Sequence, residues 1–142
     1  MIIDSHCHLD FPDFNDDRDA IIARARAAGI GGMVSICTKF ADFPAILDIA
    51  NTHDGIWCSV GVHPHEAEGA KGLTAENIMA ETDHAKVIAI GEAGLDFYYE
   101  HSPRPEQEQV FRAHIEAARQ TGLPIIIHTR DADDETVQII SE

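Results

Sequence analysis

Two histidines near the start of the chain are spaced to bind one metal ion. His6 and His8 flank a single residue and directly follow a short apolar segment. On a strand, residues i and i+2 point to the same face, with Cα atoms roughly 6–7 Å apart. Parallel α/β folds carry catalytic groups where strands end, which is where this pair stands. The alternative is two surface histidines in a loop, because so short a motif often occurs by chance.

A carboxylate and a further histidine follow later apolar segments. Glu92 comes directly after Val87-Ile88-Ala89-Ile90-Gly91, and His128 follows three isoleucines. If the strands are parallel, these groups meet His6 and His8 on one rim, and histidine with carboxylate is a metal-ligand composition. We therefore predict metal ligands at His6, His8, Glu92 and His128. The alternatives are a helix cap or a solvated loop acid at Glu92, and at His128 a core histidine that is hydrogen-bonded to a backbone carbonyl.

Three other polar residues lie at the same predicted rim. His63 and His65 flank Pro64, and each fits a metal ligand, a substrate contact or a turn residue. Arg130 follows the last predicted strand, and it either binds an anionic substrate or pairs with a nearby aspartate. We assign His63, His65 and Arg130 to substrate binding.

Alternating strands and helices must position these residues. Apolar runs predict strands at 2–5, 33–37, 56–62, 87–90 and 124–127, with helical stripes between them, the first capped by Asn15. Nearly continuous apolar runs are typical of parallel strands covered on both faces. The repeated unit suits a (β/α)8 barrel or a doubly wound sheet. No G-x-G-x-x-G follows the first strand, which disfavours dinucleotide binding.

The length of the chain suggests an incomplete barrel. A (β/α)8 barrel typically needs about 250 residues, and five strands cannot close it. We predict that residues 1–142 form a single domain with only about the first five βα units. Its open edges would be covered by a missing barrel half or by self-association.

Charge and cysteine content exclude some classes of protein. The net charge of −15 repels nucleic acid at long range and disfavours a basic binding module, although bound divalent ions could still admit one phosphodiester. No apolar run is long enough to suggest a membrane partner. Three cysteines without a C-x-x-C pair favour a reducing, cytoplasmic location.

Four segments together resemble the TatD-type metal-dependent deoxyribonucleases, a family of amidohydrolase-like barrels. They are Asp4-Ser5-His6-Cys7-His8-Leu9-Asp10, Gly61-Val62-His63-Pro64-His65, Ile90-Gly91-Glu92-Ala93-Gly94-Leu95-Asp96 and Leu123-Pro124-Ile125-Ile126-Ile127-His128-Thr129-Arg130-Asp131-Ala132. The resemblance implies a TIM-type barrel and a nuclease that cleaves phosphodiester bonds of DNA, as single strands or at 3′ ends.

The same resemblance implies the ligand set. His6 and His8 would bind a first divalent ion and His128 a second, with Glu92 bridging the two as the catalytic carboxylate. The ions would be zinc, magnesium or manganese, and they would activate water for hydrolysis. The family carries a further histidine after strand six and an aspartate after strand eight, neither of which is present in residues 1–142.

Two rival functions follow from the same residues. One is another hydrolase of the superfamily, acting on amide or carboxylic ester bonds. Several of those enzymes use a carboxylated lysine where Glu92 stands here, and Lys86 lies at the wrong end of the strand. The other is an inactive, truncated fragment that binds metal.

Overall fold

A computed structural model describes the whole chain, residues 1–142. Strands and helices alternate along it, in accordance with the predicted βα repeat. The elements are β1 (Ile2–Cys7), α1 (Arg18–Ala27), β2 (Ile30–Ser35), α2 (Phe43–Thr52), β3 (Ile56–Val60), α3 (Ala75–Ala80), β4 (Val87–Asp96), α4 (Arg104–Thr121), β5 (Ile125–Arg130) and α5 (Asp133–Ile140).

The five strands form one parallel sheet whose spatial order is the chain order, β1-β2-β3-β4-β5. A doubly wound sheet would reverse its strand order at a switch point, and this sheet does not. The progressive order is that of the first five units of a (β/α)8 barrel, so the predicted TIM-type half-barrel is confirmed. The carboxyl ends of all five strands therefore lie along one rim.

Helices cover one face of the sheet and form the main core with it. Ile22 on α1 and Ile46 on α2 are buried in one cluster with strand residues such as Ile56 and Ile90. No helix combines the length and the apolar character that a membrane crossing requires.

Several element boundaries differ from the predicted ones. β2 starts at Ile30, earlier than predicted, because Gly32 leaves room for the Ile3 and Trp57 side chains, which a Cβ would meet at 3.0 and 3.1 Å. The Asn15 cap was wrong, since α1 begins at Arg18. Instead, the amide oxygen of Asn15 accepts a hydrogen bond from the Arg18 guanidinium at 2.8 Å.

A buried histidine connects α4 to the rim. His114 donates from Nδ1 to the Val110 carbonyl oxygen at 2.7 Å, and its Nε2 accepts the Val62 N–H at 3.0 Å. Burial lowers the pKa of His114 to about 4, so the ring is neutral, as this pattern of one donor and one acceptor requires. This residue packs the helix against the segment that carries His63.

Candidate metal centre

A chain of hydrogen bonds fixes Glu92 at the rim. The Glu92 N–H donates to the Cys37 carbonyl oxygen at 3.0 Å, and the Cys37 N–H donates to the Ser59 hydroxyl at 3.1 Å. The Ser59 hydroxyl in turn donates to the Gly91 carbonyl oxygen at 2.6 Å. The segment after β2 is thereby connected to β3 and β4 around Glu92, a buried residue that is only 9% exposed.

Glycines allow the strand ends to approach this closely. A Cβ on Gly61 would lie 2.5 Å from the Gly91 Cα. Gly94 has a φ of +148°, and a Cβ there would collide with the carbonyl oxygen of His128, its register partner on β5. Side chains at these positions would separate β4 from its neighbours and move Glu92 and His128 apart.

The two carboxylate oxygens of Glu92 face two different histidines. Oε2 lies 3.4 Å from His6 Nε2, and Oε1 lies 3.3 Å from His128 Nδ1. Two groups of potential ligand atoms, each within 4.8 Å of one another, share this residue: His6, His8 and Glu92, and His63, Glu92 and His128. Ligands bound at about 2.1 Å to one tetrahedral ion lie about 3.4 Å apart. The residues present therefore fit the metal ions that the resemblance implies.

His8 is held in the tautomer that a metal ligand needs. Its Nδ1 donates to the Ile36 carbonyl oxygen at 3.0 Å, which leaves the Nε2 lone pair available. The ring stacks on Phe11 with centroids 4.7 Å apart. The intervening Cys7 donates from Sγ to the Val34 carbonyl oxygen, and burial raises its pKa to about 12. Cys7 belongs to neither of the two groups of potential ligand atoms.

Asp96 fixes the orientation of His128. Burial alone would raise the pKa of Asp96, but the N–H of Tyr99 and the rings of His65 and His128 lower it to about 2. The ionised carboxylate only accepts hydrogen bonds, so His65 Nε2 at 2.8 Å and His128 Nε2 at 3.1 Å both donate to Oδ2. The other nitrogen of His128, Nδ1, faces His63 Nε2 at 3.2 Å and Glu92 Oε1 at 3.3 Å.

His63 points a hydrogen-bond donor into the centre. Its Nδ1 accepts the His65 N–H at 3.2 Å, so in the neutral ring Nε2 carries the proton and donates to His128 Nδ1 at 3.2 Å. Burial, followed by the neighbouring His128 and His65, lowers the pKa of His63 to about 3. As a metal ligand His63 would need the other tautomer and would lose its bond to His65.

A polar cleft of about 750 Å³ opens beside the centre. It contains His6, His8 and Glu92, together with a lysine, Lys39, that pairs with Glu66 at 3.4 Å. Asp10 also lines the cleft, and its buried Oδ1 has no hydrogen-bond partner. The cleft has room for a ligand that reaches the carboxylate from solvent.

Six of the seven predicted site residues converge, and one stands apart. The six are His6, His8, His63, His65, Glu92 and His128. Arg130 instead lies over two aromatic rings, with Cζ 4.4 Å from the Tyr98 centroid and 4.6 Å from the Tyr99 centroid. It makes no ion pair with Asp131 or Asp133, the other alternative that its sequence position left open.

Asp96 was missed as a site residue because β4 was predicted to end at Ile90. The strand continues to Asp96 and is buried almost throughout. Alternation along an extended strand places Glu92, Gly94 and Asp96 on one face. The sequence pattern that could have identified Asp96 is therefore its spacing of four residues from Glu92, with Gly94 midway between them.

Fold and site together define a class: parallel β/α-barrel proteins with a histidine–carboxylate centre at the carboxyl ends of their strands. The chain belongs to the family of TatD related DNases, whose family model matches residues 3–142. The resemblance stated from the four sequence segments is confirmed.

The chain is similar to named proteins over nearly all of its length. It is 40% identical over 119 residues to the "3′-5′ ssDNA/RNA exonuclease TatD" of Cronobacter sakazakii, which covers 84% of this chain and 45% of that protein. It is 34% identical to the "uncharacterized metal-dependent hydrolase YabD" of Bacillus subtilis, over 100% of this chain and 56% of that one. The crystal structure of YjjV, a TatD homolog from Escherichia coli, superposes with a TM-score of 0.88 at 31% identity, covering 96% of this chain and 54% of that chain. The chain thus spans about half the length of the curated relatives it matches.

Proposed function

We propose that the protein is a metal-dependent phosphodiesterase that hydrolyses single-stranded DNA, attacking at 3′ ends. Two divalent ions, from zinc, magnesium or manganese, would be held by His6 and His8 on one side, His128 on the other, and Glu92 between them. The name of the Cronobacter relative supports the substrate class. The uncharacterised relatives support metal dependence.

The observation that carries the proposal is the position of the Glu92 carboxylate. It is buried, and each of its oxygens faces an imidazole of a different group. A buried carboxylate is costly unless it is paired or binds metal, and a carboxylate with one ligand group on each side is suited to bridge two ions. When bound, such ions polarise a phosphoryl oxygen and lower the pKa of water.

Residues of this chain supply the remaining contacts to substrate in the proposed reaction. The His63 Nε2–H points into the centre and would donate a hydrogen bond to a phosphoryl oxygen. His65, held by Asp96 at 2.8 Å, would border the same oxygen from the side of β4. The His63 tautomer is fixed by the His65 N–H, which donates to Nδ1, and the His65 ring is oriented by its hydrogen bond to Asp96.

The amide- or ester-hydrolase alternative has less support from the geometry. A carboxylated lysine at the end of β4 would need Lys86 near Glu92. Instead, the Lys86 ammonium donates to the Ile56 carbonyl oxygen at 3.1 Å and to the His53 carbonyl oxygen at 3.4 Å, at the amino ends of the strands. Glu92 itself stands where the carboxylated lysine of those enzymes would be.

Hydrolysis assays on the full-length gene product test the proposed function. The protein is stripped with a chelator and then resupplied separately with zinc, manganese or magnesium. We expect metal-dependent release of nucleotides from a single-stranded oligonucleotide labelled at its 5′ end, with shortening from the 3′ end. Hydrolysis of carboxylic ester or amide substrates, with the oligonucleotide left intact, would contradict the proposal.

We also propose that the open edges of the half-barrel are covered in the working protein, by further strands or by a second copy. β1 and β5 each have a single neighbour, and Ile2, Ile3 and Ile127 are 61%, 50% and 39% exposed. Unpaired strand edges with apolar side chains favour association. Light scattering on residues 1–142 is expected to show self-association, and a stable monomer over a tenfold concentration range would contradict it.

A cytoplasmic location is proposed on the state of the thiols. Cys7, Cys37 and Cys58 are all free, and none is paired in a disulfide. Free, partly or fully buried thiols suit a reducing compartment.

A further inference from the structure

An exposed group of aromatic rings borders the metal centre and takes no part in the chemistry above. Tyr98 and Tyr99 are 58% and 49% exposed, although large aromatic side chains are usually buried where packing alone is their role. Their rings meet edge to face at 4.7 Å, and Tyr99 stacks on His101 with centroids 5.5 Å apart and planes 6° apart. We call Tyr98, Tyr99, His101 and Arg130 the aromatic ledge.

The ledge is joined to the metal centre by one carboxylate. Asp96 Oδ1 accepts the N–H of Tyr98 at 3.2 Å and of Tyr99 at 2.9 Å, while its Oδ2 contacts His128. The rings of His65 and His101 meet at 4.5 Å on the same side. These contacts place the ledge directly beside the candidate metal centre.

Arg130 on the ledge is a cation without an anionic partner. Eight of the ten lysine and arginine side chains make an ion pair or a hydrogen bond, and Arg119 and Arg130 are the exceptions. In a chain of net charge −15, an arginine without an ion pair is notable because acidic partners are abundant. Stacking on the two tyrosines leaves the guanidinium N–H groups free for an anion.

We propose that the aromatic ledge is a nucleotide subsite, in which Tyr98 stacks an unpaired base and Arg130 binds the adjoining phosphate. The inference rests on the proposed function for its ligand class. Arg130 lies over both tyrosine rings, but Tyr99 is also stacked on His101, so Tyr98, which is the more exposed, offers more free ring surface to a base. Bases can reach such a face only when unpaired, so the ledge selects single strands over duplex.

Binding measurements separate base stacking from phosphate contact. The full-length gene product is titrated into a labelled phosphorothioate oligothymidylate of about eight nucleotides, within the usual site size for single strands, and into an abasic chain of equal length. Phosphorothioate linkages resist cleavage, so anisotropy reports binding alone. Tyr98→Ala is expected to weaken binding of the oligothymidylate about 5- to 150-fold, and Tyr98→Phe less than about 2-fold.

The abasic chain and a matched arginine give the controls. The wild type should bind the abasic chain more weakly than the oligothymidylate. Tyr98→Ala should bind the abasic chain about as well as the wild type does, because that chain has no base to stack on Tyr98. Arg130→Gln should weaken both chains and reduce the slope of log K against log salt by about 0.7, the share of one phosphate. Arg119→Gln, the same charge change at the far end of α4, should do neither.

Two results would overturn the ledge. The first is that Tyr98→Ala binds the oligothymidylate with wild-type affinity. The second is that Tyr98→Ala loses affinity equally for the oligothymidylate and the abasic chain, which would indicate a structural role of Tyr98. Cleavage assays on the same samples keep the two proposals apart. If the protein cleaves the oligonucleotide with metal and Tyr98→Ala does not change oligothymidylate binding, only the ledge proposal is refuted. If binding depends on the bases but no cleavage occurs, only the proposed function is refuted.

Discussion

Glu92→Gln is expected to empty the metal centre and abolish hydrolysis together. Glutamine has nearly the same volume, but it is neutral, and one of its two terminal atoms is an amide nitrogen that cannot ligate. Both ligand groups lose a shared member at once. We expect more than about 100-fold weaker metal binding, since losing even a residue behind the ligands costs 10- to 100-fold. Metal content after dialysis and the rate of oligonucleotide cleavage measure the two effects.

A glutamate on the protein surface supplies the matched control for this substitution. Glu116 is exposed on α4 and accepts a hydrogen bond from Gln120 at 2.6 Å. Glu116→Gln makes the same chemical change and should alter neither metal content nor activity. A Glu92→Gln protein that keeps its metal and its activity would refute the bridging role.

Gly94→Ala is expected to cause the largest loss of stability of any single methyl group added at the rim. The new Cβ meets the His128 carbonyl oxygen, and the φ of +148° is strained for a residue with a side chain. Strain of this kind costs about 1–3 kcal/mol and overpacking about 1–3 kcal/mol more. Together they approach the whole free energy of unfolding of a small domain. Urea unfolding followed by circular dichroism gives the loss.

Gly72→Ala isolates the contact from the strain. Gly72 also has a positive φ, +92°, but a Cβ there meets nothing within 4 Å. Gly72→Ala should therefore reduce the free energy of unfolding only by the cost of backbone strain, about 1–3 kcal/mol. If both variants lose the same free energy of unfolding, the close approach of β4 to β5 is not the reason why glycine is needed at position 94.

The order of elements and most of the site could be predicted because both depend on local pattern. Apolar runs identified five parallel strands, and polar residues at their ends identified the histidines that converge on Glu92. The length of β4 could not be predicted, since Gly91-Glu92-Ala93-Gly94 has low strand propensity. It becomes strand only through pairing with β5, which is a tertiary effect.

Side-chain contacts across elements were beyond prediction from the sequence. Nothing local shows that His63 Nε2 faces His128, or that Asp96 accepts from two rings and two backbone amides. The assignment of His63 to substrate contact or to a metal ion depends on which nitrogen carries its proton. That is set by the His65 N–H, whose position follows from the turn at Pro64.

Asp96 has a thermodynamic consequence as well as a structural one. One of its oxygens accepts from the turn that carries the tyrosines, and the other accepts from His128, so the proposed nucleotide and the proposed metal ion would act on the same carboxylate. Linkage is reciprocal: whatever factor a bound ion adds to the affinity for a single strand, the strand adds to the affinity for the ion. A weakly held ion would then be retained best while substrate is bound, and product release would loosen it.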